Sequence, residues 1–282
     1  MSRKKQSAIV ISISSDIGTA MAKRWLKRGW DVYGTYRTKY KTVDELLDCG
    51  VTLFECDLSN LRSVDHTCLE LNELSLNWDI LVLATGTQEP IGLFTDCDFD
   101  EWANSIQVNF TNQLRIVKRL LPARNMDNIL GPCVLFFAGG GTNTATVNYS
   151  AYTISKIALI KMCELLDAEI PDVRFTIVGP GWVRTKIHQE TLEAGERAGE
   201  NYEKTNYKLN NDKLTPMNDV LDCCDWLISS PREVVSGRNF SASFDKWKIQ
   251  ELSEELMRDS EMYKLRRCGN GIRIKRTQYK ES

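Results

Sequence analysis

The sequence predicts a single α/β domain, a Rossmann-like doubly wound parallel sheet of about seven strands flanked by helices. Three observations predict it. Short apolar, β-branched runs recur along the chain, and stretches with helical periodicity lie between them. The first run passes through a tight Ser-Ser-Asp-Ile-Gly turn directly into a helix, the opening unit of such a sheet. Finally, 282 residues with 42% hydrophobic content suit one large core.

Charge and cysteine usage exclude several function classes. A net charge of −2 gives no general pull toward nucleic acid or an anionic membrane. No apolar run approaches the roughly 20 residues needed to span a bilayer. The basic start, Met-Ser-Arg-Lys-Lys-Gln-Ser, is followed by an apolar stretch too short for a signal sequence. Nine cysteines without a Cys-x-x-Cys pair, and only His66 and His188, argue against zinc and for reduced thiols in a cytoplasmic protein.

The elements follow in order. Ala8 to Ile13 is the first strand, and Ala20, Met21, Trp25 and Leu26 give the helix that stops at Gly29. The turn between them presents backbone N–H groups and a helix N-terminus where a pyrophosphate could sit. Asp31–Tyr36 is the second strand. Its end lacks the acidic residue that holds the ribose hydroxyls in NAD sites, and carries Arg37, whose guanidinium suits a 2′-phosphate. A plain surface charge is the alternative there. A helix over Thr42 to Cys49, a strand over Thr52–Glu55 and a helix marked by Val64, Leu69, Leu71 and Leu74 come next. Asp79 to Ala84 is the most apolar strand. Phe99 to Leu121 reads as one long helix, and Pro132 to Phe137 as the fifth strand. Arg174 to Val178 and Arg238 to Ala242 complete the sheet, and Thr215-Pro216 opens a helix between them with Pro at its first position. Residues 1–245 form the domain and 246–282 an extension, in which Leu252, Leu256 and Met257 indicate an amphipathic helix and Arg266-Arg267 and Lys275-Arg276 a basic end.

The chemistry centres on Tyr152-Thr-Ile-Ser-Lys156, at the start of a long buried helix. Residues i and i+4 share a helix face, so the Tyr152 phenol and Lys156 ammonium look the same way. A phenol has a pKa of about 10 and is a poor acid near neutrality. A nearby cation is expected to lower it, and bringing it to about 7 requires roughly 4 kcal/mol.

With these motifs in this order, the chain resembles the short-chain dehydrogenase/reductase superfamily over roughly Ala8 to Ala242. That family's Thr-Gly-x-x-x-Gly-x-Gly turn falls on Ile11 to Gly18, so the resemblance implies cofactor contacts from Ser12, Ser14, Ser15, Asp16, Ile17 and Gly18. Only the last glycine survives; Ser12 and Asp16 replace the other two. Asp57 and Leu58 match the family's pair beside the adenine. Leu83-Ala84-Thr85-Gly86 stands where the family has Asn-Asn-Ala-Gly, keeping Gly86 but neither asparagine. Asn109 matches the asparagine that kinks its helix and helps hold a relay water near the lysine. Pro180, Gly181, Val183 and Thr185 match the segment that meets the nicotinamide carboxamide.

One family feature is missing. The serine that bonds the substrate oxygen would fall at Gly139 or Ala138, leaving Gly140, Thr142 and Thr144 as candidates to replace it. Trp182 is a further candidate for substrate contact, and the resemblance implies that the polar stretch 186–214 takes the place of the family's mobile lid. What the resemblance implies is an NADP(H)-dependent oxidoreductase, with NAD(H) the second choice of cofactor. It would move a hydride between nicotinamide and a carbonyl or secondary alcohol, in carbohydrate or surface-polysaccharide metabolism by analogy. Tyr152, Lys156 and Asn109 would be catalytic, the substrate a small molecule, the metal none, and the assembly a homodimer or homotetramer. The rival expectation is a catalytically impaired nucleotide-binding sensor or subunit, motivated by the losses at Ser12, Asp16, Leu83, Ala84 and Gly139.

Overall fold

A computed structural model describes residues 5–74 and 76–268. Arg3-Lys4 and Lys275-Arg276 lie outside the described residues. Seven parallel strands form one sheet: β1 (Ser7–Ile11), β2 (Asp31–Tyr36), β3 (Thr52–Glu55), β4 (Ile80–Leu83), β5 (Cys133–Phe137), β6 (Arg174–Gly179) and β7 (Arg238–Ser241), in the order β3-β2-β1-β4-β5-β6-β7. The order reverses between β1 and β4, so the loops leaving their carboxyl ends diverge to opposite faces and open a crevice. β1, β4 and β5 are buried at every position, because helices cover both sides.

One layer holds α1 (Asp16–Lys27) and α2 (Lys41–Asp48). The other holds α3 (Leu61–Glu73), α4 (Phe99–Ile106), α5 (Asn112–Leu120) and α6 (Ser150–Glu169). The two apolar clusters divide accordingly. Ala8, Val10, Val82 and Leu135 face Met21 and Trp25, while Ile9, Ile11, Leu83 and Phe136 face Val64, Ile116 and Leu159. The alternation of neighbours along each strand is the two-residue period of a pleated sheet.

The long helix expected from Phe99 to Leu121 is interrupted. α4 and α5 are joined by a π-turn over Gln107–Thr111 with Asn109 inside it. Pro216 is not the first helical residue either: it precedes α9 (Met217–Ser229), after α7 (Ile187–Ala194) and α8 (Glu200–Asn210). The expected stripe of α3 shifts, since Val64, Cys68 and Leu71 are buried while Leu69 and Leu74 are exposed.

α10 (Arg232–Val235) leads into β7, and α11 (Gln250–Arg258) belongs to the segment beyond it. Leu252 and Leu256 join the core there, whereas Met257 points to solvent. Buried Arg238 holds this segment through the carbonyls of Leu256, Asp259 and Met262. All nine cysteines are free thiols, and no described helix is long and apolar enough to cross a membrane.

Candidate active site

α6 begins at Ser150, so Tyr152 sits in its first turn and Lys156 one turn later, both toward the ends of β4 and β5. Lys156 Nζ lies 5.8 Å from the Tyr152 ring centroid, so the two groups do share a face. The electrostatics differ from expectation. Lys156 is 2% exposed and donates to the Thr85 carbonyl at 3.0 Å. Burial lowers its pKa to about 8. Burial pushes the Tyr152 phenol up to about 12, and the Glu190 carboxylate adds to the rise. The ammonium bonds a backbone carbonyl rather than the phenol oxygen, so desolvation outweighs the cation.

Asn109 is fully buried in the π-turn. Its Oδ1 accepts the Thr87 N–H at 3.0 Å, and its Nδ2 donates to the Thr87 carbonyl at 2.8 Å. It thereby ties the kinked helix to the loop after β4, where both family asparagines are absent. Within the π-turn, the Asn109 carbonyl accepts Gln113 Nε2 at 2.9 Å and the Val108 carbonyl accepts it at 3.3 Å. The sequence reading missed Gln113; nothing local distinguishes it from an exposed helix glutamine.

At the site of the absent serine, a Cβ placed on Gly139 would stand 2.6 Å from Tyr152 Oη. The tyrosine leans against the space a side chain would need. The Thr146 hydroxyl reaches the glycine run, with its Oγ1 3.2 Å from where a Cβ on Gly141 would be. Gly140 is exposed and Ala138 is buried at the end of β5.

The phosphate turn is rebuilt with side chains. Ser12 takes φ 60, a left-handed value a glycine would adopt freely. Its Oγ lies 2.7 Å from Thr85 Oγ1, and its N–H donates to Thr35 Oγ1. Ser15 caps α1 through the Gly18 N–H at 3.1 Å. Gly18 is required by packing: a Cβ there would lie 2.8 Å from the Ser12 carbonyl. Asp16 turns away from its own loop and accepts the Lys186 N–H at 2.7 Å.

The remaining expected residues lie around the same crevice. Arg37 is exposed beyond β2, followed by Lys39, which pairs with Asp44. Asp57 holds its own turn through the Ser59 N–H at 2.9 Å, and the Leu58 carbonyl accepts Asn112 Nδ2 at 2.7 Å. Gly181 has φ 77, and a Cβ there would be 2.0 Å from Ser243 Oγ, so another residue would be strained and would have to push Ser243 aside. Val183 is buried, and its carbonyl accepts from Thr185 Oγ1. Trp182 stacks on His188 with ring centroids 5.0 Å apart and lies under the Lys208 ammonium, so it packs within the 186–214 region. That region also supplies Glu190, absent from the sequence reading. Its carboxylate accepts the Gln88 N–H at 2.5 Å and the Thr87 hydroxyl at 3.2 Å. Burial raises its pKa despite those bonds.

Comparison with known proteins decides the family. A family model described as enoyl-(acyl carrier protein) reductase matches residues 12–243. The chain belongs to the short-chain dehydrogenase/reductase superfamily of oxidoreductases. It is 28% identical over 198 residues to a 3-oxoacyl-[acyl-carrier-protein] reductase, FabG, of Buchnera aphidicola, covering 67% of this chain and 78% of that protein. It is 26% identical to a fatty acyl-CoA reductase of Acinetobacter baylyi, covering 69% and 71%. Among solved structures, the KRED1-Pglu enzyme superposes with a TM-score of 0.74 at 22% identity, over 83% of this chain and all 100% of that one. An actinorhodin polyketide ketoreductase with NADPH gives 0.71 at 20% identity, over 84% and 95%. A 4-hydroxyisoleucine dehydrogenase complexed with NADH gives 0.68 at 22% identity, over 84% and 96%.

The superfamily uses a nicotinamide dinucleotide, and the residues present fit its reactive end. An ammonium has three donors, and Lys156 spends one of them on Thr85. The other two suit ribose hydroxyls beside Gly86, where a Cβ would stand 3.6 Å from Lys156 Nζ and 3.5 Å from Ile187 Cδ1.

Proposed function

We propose that this chain is an NADP(H)-dependent oxidoreductase acting on a small carbonyl compound or the matching secondary alcohol. The observation that carries this is the shared face of Tyr152 and Lys156 above the buried Asn109, on the carboxyl side of the β1–β4 switch. When bound, the nicotinamide supplies the hydride; the protein positions the reactants and handles the proton. Tyr152 Oη gives its proton to the carbonyl oxygen during reduction. A phenol held protonated suits that direction, since the group that donates must carry the proton at working pH. Lys156 orients the ribose and restores the proton, while Asn109 fixes the loop of Thr87 against the kinked helix.

Arg37 favours NADP(H), because its guanidinium stands beyond β2 where an acidic residue would repel a 2′-phosphate. The 3-oxoacyl reductase and ketoreductase relatives support carbonyl reduction. A cavity of about 840 Å³ lies between residues 90–98, 144–148 and the 196–204 part of the lid. Its lining includes Asp96, Asp98, Glu101, Glu196 and Glu200 against Arg197 and Lys204. Tyr152, Lys156, Asn109 and Gly139 do not line that cavity, so the carbohydrate context is proposed by analogy and not from its charge.

A second reading, a nucleotide-binding subunit without turnover, draws on the raised phenol and on the missing serine. A carbonyl-substrate screen that follows NADPH oxidation separates them. Wild type should turn over at least one class, and Tyr152→Phe should lose about 10²–10⁴ in kcat while still binding NADPH. Equal turnover by the two proteins would remove Tyr152 as the acid.

A further inference from the structure

One short segment, residues 186–191, bridges the loops that leave β1, β2 and β4. Asp16 accepts the Lys186 N–H at 2.7 Å. The Lys186 ammonium lies 5.9 Å from the Tyr40 ring centroid, beyond β2. Ile187 Cδ1 stands 3.5 Å from where a Cβ on Gly86 would be, the same point that Lys156 Nζ approaches to 3.6 Å. Glu190 takes the Gln88 N–H, and the Thr191 hydroxyl donates to Gln88 Oε1 at 2.8 Å. α7 is therefore pinned at its start to the phosphate turn and along its inner face to the loop after β4.

We infer that this segment holds the crevice shut, and that Asp16 is a built-in competitor for the dinucleotide's phosphates rather than one of their ligands. The inference rests on the dinucleotide-dependent reading above. The first N–H groups of a helix lack intrahelical partners and attract an anion. Here a carboxylate, at a position where a glycine would offer none, already takes that place for α7. A pyrophosphate seated on the turn between β1 and α1 would stand beside the Asp16 carboxylate, the first residue of α1, and the two anions repel, so its arrival strains the contact between Asp16 and Lys186. Ile187 imposes the second condition. A ribose that reaches Lys156 beside Gly86 needs the space into which Ile187 projects. All these contacts belong to one helix, so they release together. The apparent dissociation constant is then the intrinsic one divided by the fraction of molecules with α7 released.

Hydrogen exchange on the protein alone and an NADPH titration test this together. Asp16→Gly should speed exchange of the amides of Lys186 and Gln88, and tighten NADPH binding about tenfold. Lys186→Pro removes the N–H that Asp16 accepts; Lys186 has φ −59, which proline matches, so this variant should speed exchange of the Gln88 amide and tighten NADPH binding in the same way. Unchanged exchange in both variants, with normal NADPH binding, would overturn the latch alone. Weaker NADPH binding by Asp16→Gly would overturn it as well, by making Asp16 a ligand. Faster exchange with no NADPH bound by any of the three proteins would instead overturn the oxidoreductase reading on which the proposal stands.

Discussion

The two banks of the crevice have each lost residues common in the superfamily, and they answer the loss in opposite ways. On the phosphate bank, two glycines have become Ser12 and Asp16. Side chains there replace backbone freedom: Ser12 holds a left-handed φ of 60 while its hydroxyl meets Thr85, and Asp16 reaches across to Lys186. On the catalytic bank, a serine has become Gly139, and there a side chain has been exchanged for room. The Tyr152 hydroxyl lies where a Cβ would fall within 2.6 Å of it. The comparison teaches that a missing motif residue has no fixed meaning. At the turn the cost is backbone strain of order 1 kcal/mol, offset locally by hydrogen bonds. At Gly139 the surroundings have moved in, so restoring a side chain would not restore the site.

The largest effect that would break this comparison is at Gly139. Gly139→Ala puts a methyl against the Tyr152 ring, and displacing a catalytic group by about 1 Å can cost roughly 10²-fold in rate. Steady-state kinetics should show kcat down by about that factor, with NADPH affinity held. A variant with wild-type kcat would mean that the phenol has space to spare, and that the glycine marks a plain loss.

A smaller effect sharpens the electrostatic side. Lys156 titrates at about 8 in the fold against an ordinary 10.5, so it binds its proton more weakly folded than unfolded. The cost of burying the charge is therefore full below about pH 8, shrinks as pH rises, and is gone above about 10.5. Removing that charge should stabilise the protein at neutral pH. The shift corresponds to roughly 3 kcal/mol, less about 1 kcal/mol for the donor lost by the Thr85 carbonyl. Lys156→Met should thus gain about 2 kcal/mol in urea unfolding at pH 7 and lose about 1 kcal/mol at pH 11, where only the missing donor to the Thr85 carbonyl remains. A loss of stability at pH 7 would show that the ammonium is better compensated than its burial indicates.

The fold was legible where apolar runs and turn residues agree. β2 and β3 begin and end where the β-branched pattern placed them, and Leu252 and Leu256 bury as their spacing predicts. The break in the helix at Asn109 was expected from the resemblance, but its form as a π-turn and its bonds to Thr87, distant in sequence, were not legible. α3 rotated away from its expected stripe because Thr67 bonds the Glu55 carbonyl and Cys68 packs inward, leaving Leu69 in solvent. In the candidate site, the pairing of Tyr152 with Lys156 followed from helix geometry alone. The sign of the phenol's shift did not. It depends on how deeply the tertiary fold buries the pair and on Glu190, which arrives from α7. Asp16, Ile187 and Thr146 likewise act through contacts that no local pattern encodes.

The central claim is that the rebuilt phosphate bank still binds a phosphorylated dinucleotide. Titration of NADPH and NADH fluorescence against wild type and Arg37→Ala tests it most directly. The account predicts that wild type binds both, NADPH about tenfold more tightly through Arg37 and the 2′-phosphate, and that Arg37→Ala binds the two equally. Equal affinity in wild type would contradict the role of Arg37. No binding of either dinucleotide would contradict the account itself.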